Sequence, residues 1–320
     1  MDMENNINAK GEYIFYQDGI EISRSKNILT KYGKRYITEY LSGQSSNPLK
    51  DIAIGIGSTA ATVNDTQLGF EYYKTRVSLS SPDIQTSALT GLTTYGVVYK
   101  ATLPPEVSGI INEIGLYPSV TLGSTDYSSR SISNFESGQY WLDDSGLSVS
   151  TVSSPTPLIG TYYIPITATS SSSKKYSYDL NLDLSGYSAN DSMTIAYNQN
   201  DTNLDYIFVR AYSSVSDYYE IRFAGDLSIG TKIKSLTLNN LYSSTYGSGT
   251  PDNTSITRVS VGVKAKSLGS STVLMDGLRI NDEDSFRSDY GLISRSVLSS
   301  PITKSLGRQM DIEYRLGLTF

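Results

Sequence analysis

Apolar and polar residues alternate with period two along most of this chain, and one stretch shows the pattern without a break. In Tyr176-Ser-Tyr-Asp-Leu-Asn-Leu-Asp-Leu184, positions 176, 178, 180, 182 and 184 are Tyr or Leu, whereas 177, 179, 181 and 183 are Ser, Asp or Asn. Side chains of a strand point alternately to its two faces, so this run puts one face on a core and the other in water. The same period marks Met193–Tyr197, Tyr206–Tyr212, Tyr218–Phe223, Ile233–Leu238, Thr257–Ala265 and Val273–Ile280. Short strands at this spacing, separated by polar turns, predict a two-sheet sandwich or jelly roll.

The N-terminal part carries its own set of elements. Glu12–Tyr16 and Ile20–Ile22 flank Gln17-Asp18-Gly19, and Asp-Gly between β-prone runs predicts a hairpin. Leu29, Tyr32, Tyr36, Ile37, Tyr40 and Leu41 then recur at three- and four-residue spacing, which predicts one covering helix over 26–42, with Ser25 as its cap and Gly43 as its terminator. In Asp51-Ile-Ala-Ile-Gly-Ile-Gly57 the isoleucines share one face, and glycines on the other predict a close neighbour or a bulge. Strands are expected again over Tyr72–Leu79, Tyr95–Leu103 and Ile110–Tyr117, the last with Ile110, Ile114 and Leu116 on one side. Two more follow near the C-terminus, Gly291–Leu298 and Met310–Phe320, divided by Pro301 and Gly307.

Two strands alone are marginal in water, so the C-terminal pair is expected to complete the N-terminal sheet. A Ser/Gly/Thr-rich linker over 118–133 and the acidic Asn281-Asp-Glu-Asp284 bracket the middle strands. The fold class is therefore mainly β, in two parts. Residues 1–122 with 286–320 form a discontinuous β-sandwich outer domain with one covering helix, and 123–285 an inserted jelly roll. A length of 320 residues suits two such domains better than one.

Composition removes most chemistry. The chain has no cysteine and no histidine, so disulfides, thiolate nucleophiles, imidazole bases and Cys/His zinc sites are excluded. Net charge is −6 and the longest basic runs are the pairs Lys34-Arg35 and Lys174-Lys175, which argues against nucleic acid as a partner. No apolar run approaches the ~20 residues that span a bilayer, and the polar start does not resemble a signal peptide. A glycosidase needs only a pair of carboxylates. Asp143 and Asp144 are adjacent and would face opposite sides of a strand; no better pair stands out, and the chain reads as a non-enzyme.

Several phrases carry a resemblance. Lys26-Asn-Ile-Leu-Thr-Lys-Tyr-Gly33, Ile52-Ala-Ile-Gly-Ile-Gly-Ser-Thr59, Asp65-Thr-Gln-Leu-Gly-Phe-Glu71 and Ile111-Asn-Glu-Ile-Gly-Leu-Tyr117, in this order, and the tail Met310-Asp-Ile-Glu-Tyr-Arg-Leu316 resemble a recurrent module of tailed-phage virion proteins of the tail-fibre and baseplate type. The resemblance spans about 26–120 and 290–320. It implies a structural component of a tailed virus particle, assembled in the host cytoplasm and carried in the tail. Its partners would be other tail or baseplate proteins and further copies of itself, docked by strand pairing and tyrosine-rich faces, with the jelly roll projecting as a spacer or as a weak, multivalent binder of host-surface glycans.

Asn134-Phe-Glu-Ser-Gly138 and Thr272-Val-Leu-Met-Asp-Gly-Leu-Arg-Ile280 resemble the first and last strands of carbohydrate-binding-module jelly rolls. That resemblance implies a structural Ca²⁺ held by Glu136 and Asp276, the latter expected on the same face as Leu274, Leu278 and Ile280. Glycan contact would need exposed aromatic rings, for which Trp141, Tyr140, Tyr218 and Tyr219 are the candidates. The rival to a virion role is a stand-alone carbohydrate-binding surface protein.

Overall fold

The computed structural model describes residues 8–44, 49–86, 93–118, 131–136, 138–281 and 291–319. The chain opens with strands β1 (Asn8–Gln17), β2 (Ile20–Lys26) and β3 (Ile28–Leu29) and helix α1 (Lys31–Leu41). Strands β4 (Leu49–Gly55), β5 (Glu71–Arg76), β6 (Leu79–Thr86), β7 (Thr93–Leu103) and β8 (Gly109–Pro118) follow. Next come β9 (Ser131–Ser133), β10 (Ile164–Ala168), β11 (Ser173–Leu182), β12 (Ser192–Gln199), β13 (Leu204–Tyr212), β14 (Tyr218–Ala224) and β15 (Gly230–Thr237). The last elements are helix α2 (Leu238–Tyr242), β16 (Ile256–Ala265), β17 (Ser271–Asn281), β18 (Ser294–Lys304) and β19 (Met310–Thr319). The fold is mainly β, and it divides into a discontinuous unit, Met1–Tyr127 with Ser285–Phe320, and a middle unit, Ser128–Asp284.

The discontinuous unit packs two five-stranded antiparallel sheets, ordered β2-β1-β19-β7-β6 and β3-β18-β8-β4-β5. The C-terminal strands complete both sheets rather than one, β19 between β1 and β7, and β18 beside β8. Ile52, Ile54, Ile111, Ile114, Leu116, Ile312 and Tyr314 meet in the core between them. Ile111 takes the place expected for Ile110, because β8 changes parity between 111 and 114, opposite an irregularity in β18. The run expected over 72–79 breaks into β5 and β6, which join different sheets. Pro301 does not end β18; it lies in the irregular stretch between Val297 and Ile302, where the ladder to β8 is interrupted. Of the tyrosines of this unit, Tyr13, Tyr36, Tyr117 and Tyr314 are buried, whereas Tyr95 is exposed and Tyr16, Tyr32, Tyr72, Tyr73 and Tyr99 are half-buried.

The helix begins five residues later than the apolar spacing indicates. Ser25 is in β2, bonded to the Ser296 hydroxyl, and Ile28–Leu29 pair with β18. The cap is Thr30, whose hydroxyl accepts the Gly33 N–H at 2.9 Å and donates to the Ile293 carbonyl. Strand pairing therefore takes residues that helical periodicity alone assigns to the helix. Thr30→Ala removes these bonds, with a further one to the Leu292 carbonyl, and is expected to lower stability by about 1–2 kcal/mol, read as a lower urea midpoint at unchanged m-value.

Three of the quoted phrases, 52–59, 65–71 and 111–117, meet at one buried carboxylate. Glu113 is 0% exposed. Its Oε1 accepts the N–H of Gly57 and of Phe70, each at 2.8 Å, and its Oε2 accepts the Gly69 N–H at 2.9 Å. Arg295 from β18 donates Nε and Nη2 to Oε2 at 3.0 and 2.7 Å, and pairs through Nη1 with Asp65 at 2.8 Å. A Cβ on Gly55 or Gly57 would collide with this carboxylate, which explains the close neighbour those glycines predict.

The middle unit is the jelly-roll sandwich, with β10-β17-β12-β15 (β9 also on β17) packed against β11-β16-β13-β14. Ile195, Tyr197, Val209, Ile221, Val261 and Met275 fill the space between the sheets, with Tyr176, Tyr178, Leu180 and Leu182 of β11 closing one side. The short α2 is not legible as a period; Leu238 and Leu241 anchor it to the core. Of the expected linkers, 119–130 and 282–284 lie outside the described residues, while 131–133 form β9.

Candidate functional site

Two features of the middle unit carry chemistry. The first is the carboxylate pair. Asp276 does not share a face with Leu278 and Ile280, because β17 bulges there: Ala196 of β12 pairs with Gly277 and Tyr197 with Met275, leaving Asp276 as the extra residue. The bulge turns its fully buried side chain to the loop before β10, where the N–H of Leu158 donates to Oδ2 at 2.5 Å and that of Ile159 at 3.2 Å. Two residues on, the N–H groups of Thr161 and Tyr162 donate to Glu136 Oε1 at 2.8 and 3.3 Å. One short loop thus serves both carboxylates.

Burial pushes the Asp276 carboxyl well above its ordinary range against the loop N–H bonds, and the charge of Glu136 pushes it further. Burial also raises Glu136. Glu136 thus disfavours the ionisation of the desolvated Asp276, and among the described residues neither carboxylate has a cationic side-chain partner. A Ca²⁺ shell of ~6–8 oxygens combines carboxylates with backbone carbonyls and water, and Asp276 and Glu136 are the residues that would supply its charged ligands. A bound ion would supply the charge that makes ionised Asp276 and Glu136 tolerable in the interior. Among the described residues no group of three or more Asp or Glu is placed to hold a metal, so these two would be the only side-chain carboxylates of such a site.

The second feature is the open face of the four-stranded sheet. Along β13, Ile207, Val209 and Ala211 point into the core, so Tyr206, Phe208, Arg210 and Tyr212 point away from it. The register puts Arg210 opposite Glu220, Phe208 opposite Arg222 and Tyr212 opposite Tyr218 of β14. Glu220 is only 1% exposed, and both of its oxygens are used: Nε of Arg210 and Nε of Arg222 donate to it, each at 2.6 Å. The Arg210 guanidinium lies 4.9 Å from the Phe208 ring centre and 4.7 Å from that of Tyr218. Arg222 lies 4.5 Å from Tyr206 and 3.6 Å from Tyr246. Phe208 lies against Gly262 of β16, where any Cβ would strike the ring. Beside this layer is a hollow of about 560 Å³, lined by Lys175, Asp179, Tyr212, Val215 and Arg258 among others.

The four aromatic candidates separate. Tyr218 lies on the open face, its ring 4.9 Å from that of Tyr212. Tyr140 is 77% exposed, outside this cluster. Tyr219 points to the other side of β14, bonded to the Pro251 carbonyl and edge-on to Tyr242. Trp141 is withdrawn from sugar contact: at 1% exposure it is a core residue, stacked between Phe135 at 4.8 Å and Tyr178 at 5.5 Å, with its Nε1 donating to Ser133. Indole offers more apolar area than any other side chain, and the interior took it. Sequence reasoning missed Arg210, Arg222 and Glu220. The signal was present in β13 and β14, whose outward positions carry Tyr, Phe, Arg and Glu where small polar residues would suffice.

The sequence matches no protein-family profile and no curated protein. Among solved structures it is similar to the family 11 carbohydrate-binding module from Clostridium thermocellum in complex with a β-1,3-1,4-mixed-linked tetrasaccharide, at 16% identity over 48% of this chain and 94% of that one, with a TM-score of 0.35. It is also similar to the family 30 carbohydrate-binding module of the Clostridium thermocellum cellulosomal cellulase Cel9D-Cel44B, at 14% identity over 46% and 93% of the two chains, TM-score 0.34. An agarase, AgWH50C, aligns at 12% identity over 48% of this chain and 26% of its own, TM-score 0.34. At such scores no residue role passes from those proteins to this one.

Proposed function

We propose that the protein is a non-enzymatic structural component of a tailed virus particle whose middle unit contacts glycan through the open face of its four-stranded sheet. The observation that carries the reading is the aromatic–arginine layer on β13 and β14: rings that can stack on sugar, held in place by the buried Glu220. The virion assignment rests on the ordered phrases of the discontinuous unit, three of which meet where Gly57, Gly69 and Phe70 donate to Glu113.

The test has two arms. A glycan array probed with the full chain is expected to give saturable binding with the sugars left uncleaved, and mass spectrometry of purified tailed particles is expected to find the chain. Binding without the chain in particles would favour a stand-alone carbohydrate-binding protein. Turnover of any glycan would overturn the non-enzymatic reading.

A further inference from the structure

The open face is rich in positive charge although the chain as a whole is negative, with a net charge of −6. Arg210 and Arg222 share the single carboxylate of Glu220. In the same register rows, Lys264 pairs across with Tyr206 and Arg258 with Tyr212. Arg258 is matched by Asp179, whereas Lys264 donates to a backbone carbonyl of Ser171 and pairs with no carboxylate among the described residues. With Asp205, whose charge also reaches Tyr206, the four cations Arg210, Arg222, Arg258 and Lys264 stand against the three carboxylates of Glu220, Asp179 and Asp205.

The two guanidiniums are also held in one orientation. Each uses Nε on Glu220 and lies between two aromatic rings. Arg210 spends Nη1 on the Tyr212 hydroxyl, a long bond of 3.4 Å. Nη2 of Arg210 and both Nη groups of Arg222 make no hydrogen bond among the described residues, and their side chains are 24% and 30% exposed. A guanidinium fixed at Nε with open Nη donors is prepared to bind a planar or tetrahedral oxyanion, with little ordering left to be done on binding.

We infer that the glycan taken by this face is acidic, its carboxylate, sulfate or phosphate resting on the free Nη groups of Arg222 and Arg210 while the sugar ring lies on Tyr218, Tyr206 or Tyr246. The inference rests on the glycan-binding reading above and adds the substrate class. A net-negative chain gives polyanions no general attraction, so acidic binding must be local.

The experiment is isothermal calorimetry of the full chain with polygalacturonate, dextran sulfate and a phosphodiester-linked teichoic acid, against neutral dextran and mixed-linkage β-glucan. Binding is expected for at least one acidic polymer, which identifies the oxyanion, and at least ten-fold weaker for the neutral ones. Affinity should fall as NaCl rises from 50 to 300 mM. Arg222→Gln is expected to weaken acidic binding at least ten-fold, and Arg222→Lys to recover only part of it, because a point charge lacks the fork. Arg308→Gln, on the discontinuous unit, is expected to change nothing. Circular dichroism melts establish that the Arg222 variants remain folded, and Arg210→Gln replaces them if they do not. Neutral polymers binding as well as acidic ones would overturn the acidic assignment and leave the glycan reading standing. No binding to any polymer would overturn both. Acidic binding unchanged in a folded Arg222→Gln protein would move the site elsewhere.

Discussion

Glu113→Gln is expected to lower the stability of the discontinuous unit by about 3–5 kcal/mol, the range for breaking a buried ion pair on one side. The amide would set its NH₂ against either the Gly57 and Phe70 N–H groups or the Arg295 guanidinium, since both oxygens of Glu113 now accept hydrogen bonds. The variant that separates this node from an ordinary buried pair is the double change Glu113→Leu, Arg295→Met. Apolar replacement of both partners often restores stability when the two charges satisfy only each other. Here Gly57, Gly69 and Phe70 would lose their acceptor, each at about 1–3 kcal/mol, so the double variant is expected to remain destabilised. Calorimetry showing the double variant as stable as wild type would mean that the peptide N–H bonds count for little.

Acid acts on the same node. Burial by itself raises the Asp65 carboxyl, but hydrogen bonds from Arg295 and Thr62 outweigh it and hold the group below the ordinary carboxylate range. A depressed folded value gives stability that is present above pH ~4 and lost as pH falls through that value. The discontinuous unit should therefore lose stability below pH ~4, and Asp65→Asn should flatten that loss.

Calcium is expected to give the largest effect on the middle unit. Adding Ca²⁺ to chelator-treated protein should stabilise it by about 2.7 kcal/mol at a hundred-fold excess over Kd, or roughly 5–10 °C in Tm for a unit of this size. Asp276→Asn and Glu136→Gln should each abolish the shift while leaving the melt of the discontinuous unit unmoved. No calcium response in the wild-type chain, or an equal response in both variants, would sink the assignment.

The sandwich architecture was legible because its strands are half wet, as Tyr176–Leu184 shows most plainly. Competition between patterns hid the rest. The spacing of Leu29, Tyr32 and Tyr36 is helical, yet Leu29 lies in β3 because β18 offers its backbone a ladder. Bulges defeat parity arguments, which is why Asp276 was expected on the wrong face. The carboxylate pair itself was visible as two residues, but the loop that serves both was not, since Leu158–Tyr162 contributes only backbone N–H groups. Backbone donors leave no mark in side-chain identity. On the open face, single arginines on different strands become one cluster only once the register between β13 and β14 is known.

The central position of β19 also constrains the order of events at the ribosome. β1 and β7 are made early, but the strand that joins them, and the arginine that neutralises Glu113, emerge only after the whole middle unit has been translated. At about 5–20 residues per second, the nascent N-terminal segment waits on the order of ten seconds or more with two unfilled sheets. A ribosome stalled before residue 294 would release a finished jelly roll attached to an unfinished sandwich, a species marked for chaperones or proteolysis rather than for assembly.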